Sequence, residues 1–311
     1  MTRIAVIGTG GWGKNHVRAL SELGHLAAVC DVDPERSKQF SSKYQVAGYV
    51  SVEEMLRKEE LDGVNICTPA STHLAVASKT LAAGVNTFVE KPMTSTLKEG
   101  EELIRTAEAS GKILTVGFIE RFNPAITELK KIVDGGSLGK PILFEYRREN
   151  RRGENITDVG VVKDASVHDI DTARWLFSEE PRTVYARVGS VMGKNEDFAT
   201  ILLGFSGERT AFITTNWVTP MRIRELTAVF TGGVATLDFI TQEMQIHDES
   251  GTIVPKHTVQ EPLTLELKEF VSAIQQKRKA LVTPRDGLNV IRIAEAALAS
   301  SKSGSPIYLS S

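Results

Sequence analysis

The stretch Gly8-Thr9-Gly10-Gly11-Trp12-Gly13 follows the apolar run Arg3–Ile7 and precedes Asn15–Leu23, which has helical periodicity. A G-x-G-x-x-G loop between a strand and a helix admits few folds. Gly8 permits the tight turn, Gly10 lets the backbone approach a pyrophosphate, and Gly13 lets the helix lie close to the strand. Gly11 and Trp12 complete the loop, and the helix start offers N–H groups and a positive dipole end to phosphates. A glycine-rich turn without a ligand is the plainer alternative, and the strand-then-helix context favours the dinucleotide site. The second strand, Leu26–Cys30, ends at Asp31. A carboxylate there accepts hydrogen bonds from an adenosine ribose and repels a 2′-phosphate, which favours NAD over NADP. Arg36 is close enough in sequence to tolerate that phosphate. Asp33, just before Pro34, fits a helix N-cap.

The same alternation continues. Val46–Tyr49, Val64–Cys67, Thr87–Val89 and Ile113–Val116 read as strands; Pro34–Lys43, Val52–Lys58, Leu74–Ala83 and Lys98–Ala109 read as helices. Continuous apolar strands separated by amphipathic helices imply a parallel sheet covered on both faces. Near Pro124 the pattern changes. A helix over Ala125–Val133 leads into alternating strands at Pro141–Arg147, Thr183–Ser190, Ala199–Phe205, Thr210–Val218, Glu225–Thr231 and Val234–Phe239. Two helices follow, with apolar stripes at Leu267, Phe270, Val271 and Ile274, and at Ile291, Ala294 and Leu298. The expected architecture is α/β: a Rossmann doubly wound parallel sheet over residues 1–120, then an α+β domain over 121–311 with a mostly antiparallel open sheet for substrate binding and oligomerisation. With 311 residues, 41% hydrophobic and 24% charged, the chain suits two globular domains. A net charge of -2 gives no global field for nucleic acid or an anionic membrane. No apolar run reaches the length of a membrane span, and the N-terminus lacks a signal-peptide pattern. Cys30 and Cys67 read as buried reduced thiols, which points to the cytoplasm. His16, His25, His247 and His257 show no metal-ligand spacing and read as surface or packing residues, so no metal site is expected.

Glu90-Lys91-Pro92 ends an apolar run, where ligands of a parallel sheet bind. Pro92 pushes Lys91 toward an extended backbone and raises the chance of a cis bond, which fixes where the lysine points. An ordinary lysine before a turn is the alternative. In order, the glycine loop, Asp31, Thr68-Pro69-Ala70-Ser71-Thr72-His73 and Glu90-Lys91-Pro92 resemble the Gfo/Idh/MocA family of nicotinamide-dependent sugar oxidoreductases. Asp164-Ala165-Ser166-Val167-His168, then Arg174-Trp175-Leu176, is similar to the family's Asp-x-x-x-His segment. Asp286-Gly287-Leu288-Asn289 resembles its C-terminal return. The likeness spans essentially the whole chain. It departs at Ser166, where family members often carry glycine.

The resemblance implies hydride transfer between a sugar carbinol carbon and a nicotinamide. His168, with an ordinary pKa of about 6.5, suits the proton acceptor. Lys91 suits the hydroxyl oxygen, where its charge stabilises the developing alkoxide. Asp164, four residues before His168, would share a helix face with it and orient the imidazole or hold a substrate hydroxyl. Glu90 pairs with Lys91 or touches the cofactor; Thr68 and His73 hold the loop around it, and Trp12 could stack there. Asp169 and Asp171 read as helix-surface groups. Ile119-Glu120-Arg121-Phe122-Asn123-Pro124 resembles the linker of the family's UDP-N-acetylglucosamine 3-dehydrogenases, which places Arg121 and Asn123 at substrate. Arg148, within Arg147-Arg148-Glu149-Asn150-Arg151-Arg152, could receive a diphosphate, a solvated loop being the alternative. A nucleotide sugar oxidised at a ring secondary hydroxyl is the resulting expectation, with a free sugar or inositol as runner-up. A dinucleotide-binding regulator without turnover, and redox-assisted glycoside cleavage, are the other classes. The resemblance also implies association through the outer sheet face; Thr210, Phe212 and Thr214 alternate with Ala211, Ile213 and Thr215, so both faces are fairly apolar and a homodimer or homotetramer is expected.

Overall fold

A computed structural model describes residues 1–151 and 159–309. Arg152 of the arginine-rich stretch lies outside the described residues. The chain forms two compact units: Met1–Phe118 with Leu263–Ile291, and Ile119–Pro262 with Arg292–Ser311. The division expected from sequence, 1–120 and 121–311, counts residues 263–291 with the second domain, whereas in the structure they lie with the first unit. No helix among the described residues is long and apolar enough to cross a membrane.

The first unit alternates strand and helix: β1 (Ile4–Ile7), α1 (Gly13–Glu22), β2 (Leu26–Cys30), α2 (Pro34–Tyr44), β3 (Ala47–Tyr49), α3 (Val52–Lys58), β4 (Gly63–Ile66), α4 (His73–Ala82), β5 (Asn86–Glu90), α5 (Leu97–Ser110) and β6 (Leu114–Gly117). The six strands lie in the order β3-β2-β1-β4-β5-β6, and every pair is parallel. All residues of β1 and β4 are buried, as expected of strands covered on both faces. The order reverses between β1 and β4, which makes their carboxyl ends a ligand-binding position. Local chemistry sets the helix ends. Asp33 caps α2 by accepting from the Glu35 and Arg36 N–H groups, with Pro34 behind it. Thr96 and Glu99 form a capping box at α5, and Gly111 closes that helix in the left-handed region. Two later helices return here: α8 (Pro262–Gln276) and the start of α9 (Pro284–Ser303). A Cβ on Gly63 would meet Ile274 and Phe270, and Thr115 Oγ1 donates to the Val282 carbonyl at 2.8 Å.

In the second unit α6 (Pro124–Gly135) precedes β7 (Pro141–Glu149), and α7 (Val167–Phe177) precedes β8 (Thr183–Gly189), β9 (Phe198–Gly204), β10 (Thr210–Asn216), β11 (Ile223–Phe230), β12 (Gly233–Asp238), β13 (Met244–Asp248) and β14 (Gly251–Ile253). With β15 (Ile307–Tyr308) these form a nine-stranded sheet in the order β14-β13-β12-β11-β7-β10-β9-β8-β15. Only the β7–β10 pair is parallel, so the sheet is mostly antiparallel. The expected strands are present; β13, β14 and β15 are additions. The last two are too short, at three and two residues, for alternation to show in sequence. One sheet face is apolar and buried, and the Phe144 ring of β7 lies 4.2 Å from that of Phe177 on α7.

Charge is buried in this core as well. Arg148 on β7 donates from Nε and Nη2 to Asp169 at 3.0 and 2.7 Å, and from Nη1 to Glu120 at 3.1 Å. Arg121 grips Asp171 through two bonds of 2.7 and 2.6 Å, and Arg174 joins Asp171 to Glu180. Asn123 caps α6 through the Ala125 N–H and donates to the Phe239 carbonyl at 2.9 Å. Arg121, Asn123 and Arg148, expected at substrate, are therefore committed to buried bonds within the protein. Asp169 and Asp171, expected on a helix surface, are buried. Burial opposes the charge of Arg148, but Asp169 and Glu120 outweigh it and hold its pKa above the ordinary guanidinium range. Removing one partner of such a pair leaves an uncompensated buried charge. Arg148→Met is thus expected to lower unfolding stability by about 3–5 kcal/mol in a urea titration. Full stability together with weakened substrate binding would return Arg148 to a ligand-binding role.

Candidate active site

The glycine loop joins β1 to α1. Gly8 has φ of +85°, and a Cβ there would lie 2.9 Å from the Cys67 carbonyl group. A Cβ on Gly13 would lie 1.8 Å from the Gly8 carbonyl oxygen, so the close approach of helix to loop requires glycine. A Cβ on Gly10 meets only the Arg36 guanidinium, at 3.4 Å, which leaves its backbone approachable. No side chain caps α1. Its first N–H groups therefore suit an anion, with Gly11 at the same turn.

Asp31 follows β2 and is buried. Its Oδ2 accepts from the Thr9 N–H at 2.8 Å and hydroxyl at 3.1 Å; its Oδ1 accepts from the Asp33 N–H at 3.0 Å. Arg36 Nη1 lies 3.3 Å from both oxygens, and Arg36 also pairs with Asp33. Burial opposes ionisation of Asp31, yet the backbone bonds from Asp33 and Thr9, the Thr9 hydroxyl and Arg36 hold its pKa below the ordinary carboxylate value. Two carboxylates face one guanidinium, so the trio carries one net negative charge. Arg36 is already shared between acids, which suits a ribose diol rather than an additional phosphate. The loop, the uncapped helix and this acceptor fit NAD.

Lys91 stands at the carboxyl end of β5, and its bond to Pro92 is cis. The Glu90 side chain is buried and turned back. Its Oε2 accepts from the Lys91 backbone N–H at 3.1 Å. Its Oε1 accepts from Trp12 Nε1 at 3.1 Å and meets His16 Nε2 at 2.9 Å. A Cβ on Gly117 would lie 2.8 Å from that oxygen, so the end of β6 leaves room for the carboxylate. His16 is fully buried, and its Nδ1 lies 3.0 Å from the amide of Asn65 on β4. Sequence reasoning treated His16 as surface or packing and overlooked Asn65; these partners are distant along the chain and no local spacing announces them.

His73 opens α4 and is buried. Its Nδ1 meets the Pro92 carbonyl at 2.9 Å and its Nε2 the Thr68 carbonyl at 2.8 Å, tying the loop after β4 to the one carrying Lys91. Thr68 also accepts from the Thr72 hydroxyl at 2.7 Å. Both cysteines are free. Burial, then Asp31, pushes the Cys30 thiol up to about 12, and burial raises that of Cys67, so neither is an activated nucleophile.

In the second unit His168 lies in the first turn of α7, half-buried. Asp164 precedes it within a π-helical turn, Val162–Ser166. The same-face rule for residues four apart belongs to the tighter α-helix, so it does not fix Asp164 against His168. Ser166 is buried and donates to the Thr215 hydroxyl at 3.0 Å, which gives this position a specific anchor. Arg224 on β11, unmarked by the sequence, lies 3.8 Å from Glu120. Burial, then Arg148, pushes its pKa down to about 10.

These features define a dinucleotide-binding oxidoreductase domain joined to an α+β partner. Residues 2–118 match the family model described as an oxidoreductase family with an NAD-binding Rossmann fold, and residues 126–254 match the GFO/IDH/MocA C-terminal domain. The chain belongs to the Gfo/Idh/MocA family and is an NAD-binding oxidoreductase. It is 28% identical over 306 residues to UDP-N-acetylglucosamine 3-dehydrogenase of Acidithiobacillus ferrooxidans, covering 95% of each chain. The solved structure of that enzyme matches with a TM-score of 0.90, covering 97% of this chain and 98% of that one at 27% identity. The scyllo-inositol 2-dehydrogenase (NAD(+)) of Bacillus subtilis is 27% identical, covering 99% of this chain and 96% of the relative. An oxidoreductase from Agrobacterium radiobacter, solved in complex with NAD+, L-tartaric acid and magnesium, shares the fold with a TM-score of 0.90, at 21% identity and over 99% and 98% of the two chains.

The His73 environment makes a pH prediction. Burial outweighs the bonds to Thr68 and Pro92 and the charge of Glu90, and holds its pKa below the ordinary 6.5. The unfolded chain therefore binds this proton at higher pH than the folded one. The contribution to stability is complete above the unfolded value and is lost as pH falls toward the folded one. His73→Gln is expected to flatten the decline in urea midpoint between about pH 7 and about pH 5. Equal slopes in variant and wild type would show that His73 is not buried neutral.

Proposed function

We propose that the protein is an NAD-dependent dehydrogenase that oxidises a ring secondary hydroxyl of a sugar, with C3 of UDP-N-acetylglucosamine as the substrate position. The observation that carries the chemistry is Lys91, placed at a strand's carboxyl end behind a carboxylate held by N–H groups of Trp12, His16 and Lys91 itself. In this reading the Lys91 ammonium faces the hydroxyl oxygen and stabilises negative charge as the O–H proton leaves. His168 accepts that proton. Asp164 orients the imidazole or holds a neighbouring hydroxyl. Bound NAD supplies the hydride acceptor. Gly8, Gly10, Gly11 and Gly13 admit its pyrophosphate, Asp31 its ribose, and Trp12 the side of the loop.

Similarity over 95% of both chains to the UDP-N-acetylglucosamine enzyme supports the nucleotide sugar. The comparable match to the scyllo-inositol enzyme favours one second reading, an inositol or free sugar. The buried commitments of Arg121, Asn123 and Arg148 mean that the substrate reading no longer rests on them. We place the enzyme in the cytoplasm, where two free thiols stay reduced. Two copies would meet on the outer sheet face. Tyr185, Leu202 and Phe212 stand in register there across β8, β9 and β10, and Leu202 is 42% exposed.

Two experiments test these readings. Purified protein mixed with NAD and UDP-N-acetylglucosamine should raise NADH absorbance, and Lys91→Ala should reduce kcat by about 100- to 1,000-fold. A rise with inositol or free sugar only would remove the nucleotide sugar while keeping the chemistry. Light scattering should give a dimer or tetramer, and Leu202→Glu should shift it toward monomer by burying a charge without a partner. A monodisperse wild-type monomer would end the sheet-face proposal.

A further inference from the structure

His16 and Asn65 are polar groups of the first unit with no exposure to solvent. A carboxylate oxygen only accepts hydrogen bonds, so the 2.9 Å contact with Glu90 Oε1 requires the proton on His16 Nε2. In a neutral imidazole Nδ1 is then an acceptor, which the Asn65 amide N–H at 3.0 Å satisfies. Both contacts agree on one tautomer. The ring is also fixed sideways, with Phe88 edge-on at 5.5 Å and Trp12 at 6.5 Å. A rigid donor, aimed from α1, thus holds the carboxylate that accepts the Lys91 backbone N–H on its other oxygen.

We propose that His16 is a positioning residue for the reaction: oriented by Asn65, it fixes Glu90, and Glu90 fixes the backbone from which Lys91 reaches the substrate oxygen. The inference rests on the dehydrogenase reading and adds a residue to it. Packing alone would be served by an apolar side chain of similar volume. The donor at Nε2 is what the chain Asn65–His16–Glu90–Lys91 needs, because without it Glu90 Oε1 keeps only the N–H of the exposed Trp12 indole, which does not fix the carboxylate from the α1 side. The same donor couples the helix that begins at the glycine loop to the strand end carrying Lys91.

Two polar substitutions separate this role from a structural one. In His16→Gln the side-chain amide can occupy the place of Nε2 and still donate to Glu90. In His16→Asn the shorter amide occupies the place of Nδ1, reaches Asn65 and leaves Glu90. Both variants are compared with wild type by thermal unfolding, NAD affinity from calorimetry, and kcat and KM in NADH formation. The expected result is kcat within about threefold of wild type for His16→Gln and a loss of about 100-fold for His16→Asn, since a small misplacement of a reacting group has that effect. NAD affinity should change by no more than about threefold in either, below 1 kcal/mol. Equal kcat in both variants, whether retained or lost, would overturn the proposal. A readout independent of substrate is acetylation of Lys91 at one pH, followed by mass spectrometry with exposed Lys112 as reference. His16→Asn should change the Lys91 rate by about threefold or more, the equivalent of about half a pKa unit, and His16→Gln should not. If wild type oxidises no sugar, the function reading fails; unchanged labelling in both variants sinks the positioning role separately.

Discussion

The carboxylate of Glu90 is the point on which the first unit's site depends. A buried carboxylate is unfavourable by several kcal/mol unless its oxygens are satisfied. Here the donors come from the glycine loop, from α1, and from the residue that begins the next loop. Charge-assisted bonds of this kind are each worth about 1.5–3 kcal/mol and are directional. The group therefore fixes three segments against one another at the end of the sheet where ligands bind. His73 is a second contact between loops: its two ring nitrogens lie against the Pro92 and Thr68 carbonyls, and as a neutral imidazole it donates to one of them. The lysine's position follows from these constraints on backbone, while its ammonium stays at the end of a flexible stem.

The sequence was most legible where a function depends on local geometry. Gly8 and Gly13 announce themselves because a side chain would strain the positive φ and crowd Cys67 at the first and would lie 1.8 Å from the Gly8 carbonyl oxygen at the second. Asp33 and Pro34 work the same way at the start of α2. The strands of the first sheet and β7 to β12 of the second were readable because continuous apolar runs and strict alternation report which faces are covered. What escaped reading has partners far away in sequence. His16 meets Asn65 and Glu90, separated from it by 49 and 74 positions. A lone histidine among apolar helix residues gives no sign of such a pairing.

The arginines escaped for a related reason. Arg121 and Arg148 look like anion receptors because their charge is visible in the sequence and their partners are not. Asp169 and Asp171 stand 21 and 50 positions away from them. Read locally, the two aspartates are helix-surface groups and the two arginines substrate contacts; folded together, they form core pairs that also tie the Ile119–Phe122 turn to β7 and α7. The π turn at Val162–Ser166 adds a second kind of difficulty. It shifts helical phase just before His168, and residue spacing alone assumes a single period.

The two units thus treat charge in opposite ways. In the second, guanidinium and carboxylate groups neutralise each other in the core, so they fix the fold and leave little field for a ligand. In the first, the Asp31, Asp33 and Arg36 trio retains a net negative charge beside the loop. A ribose diol can donate to Asp31, whereas a phosphate placed there would face two carboxylates and an arginine already engaged. Cofactor choice therefore rests on a charge balance that is set before any ligand arrives. The backbone bonds from Asp33 and Thr9 do most to hold Asp31 ionised, and the arginine that seemed to weaken the case for NAD adds to them.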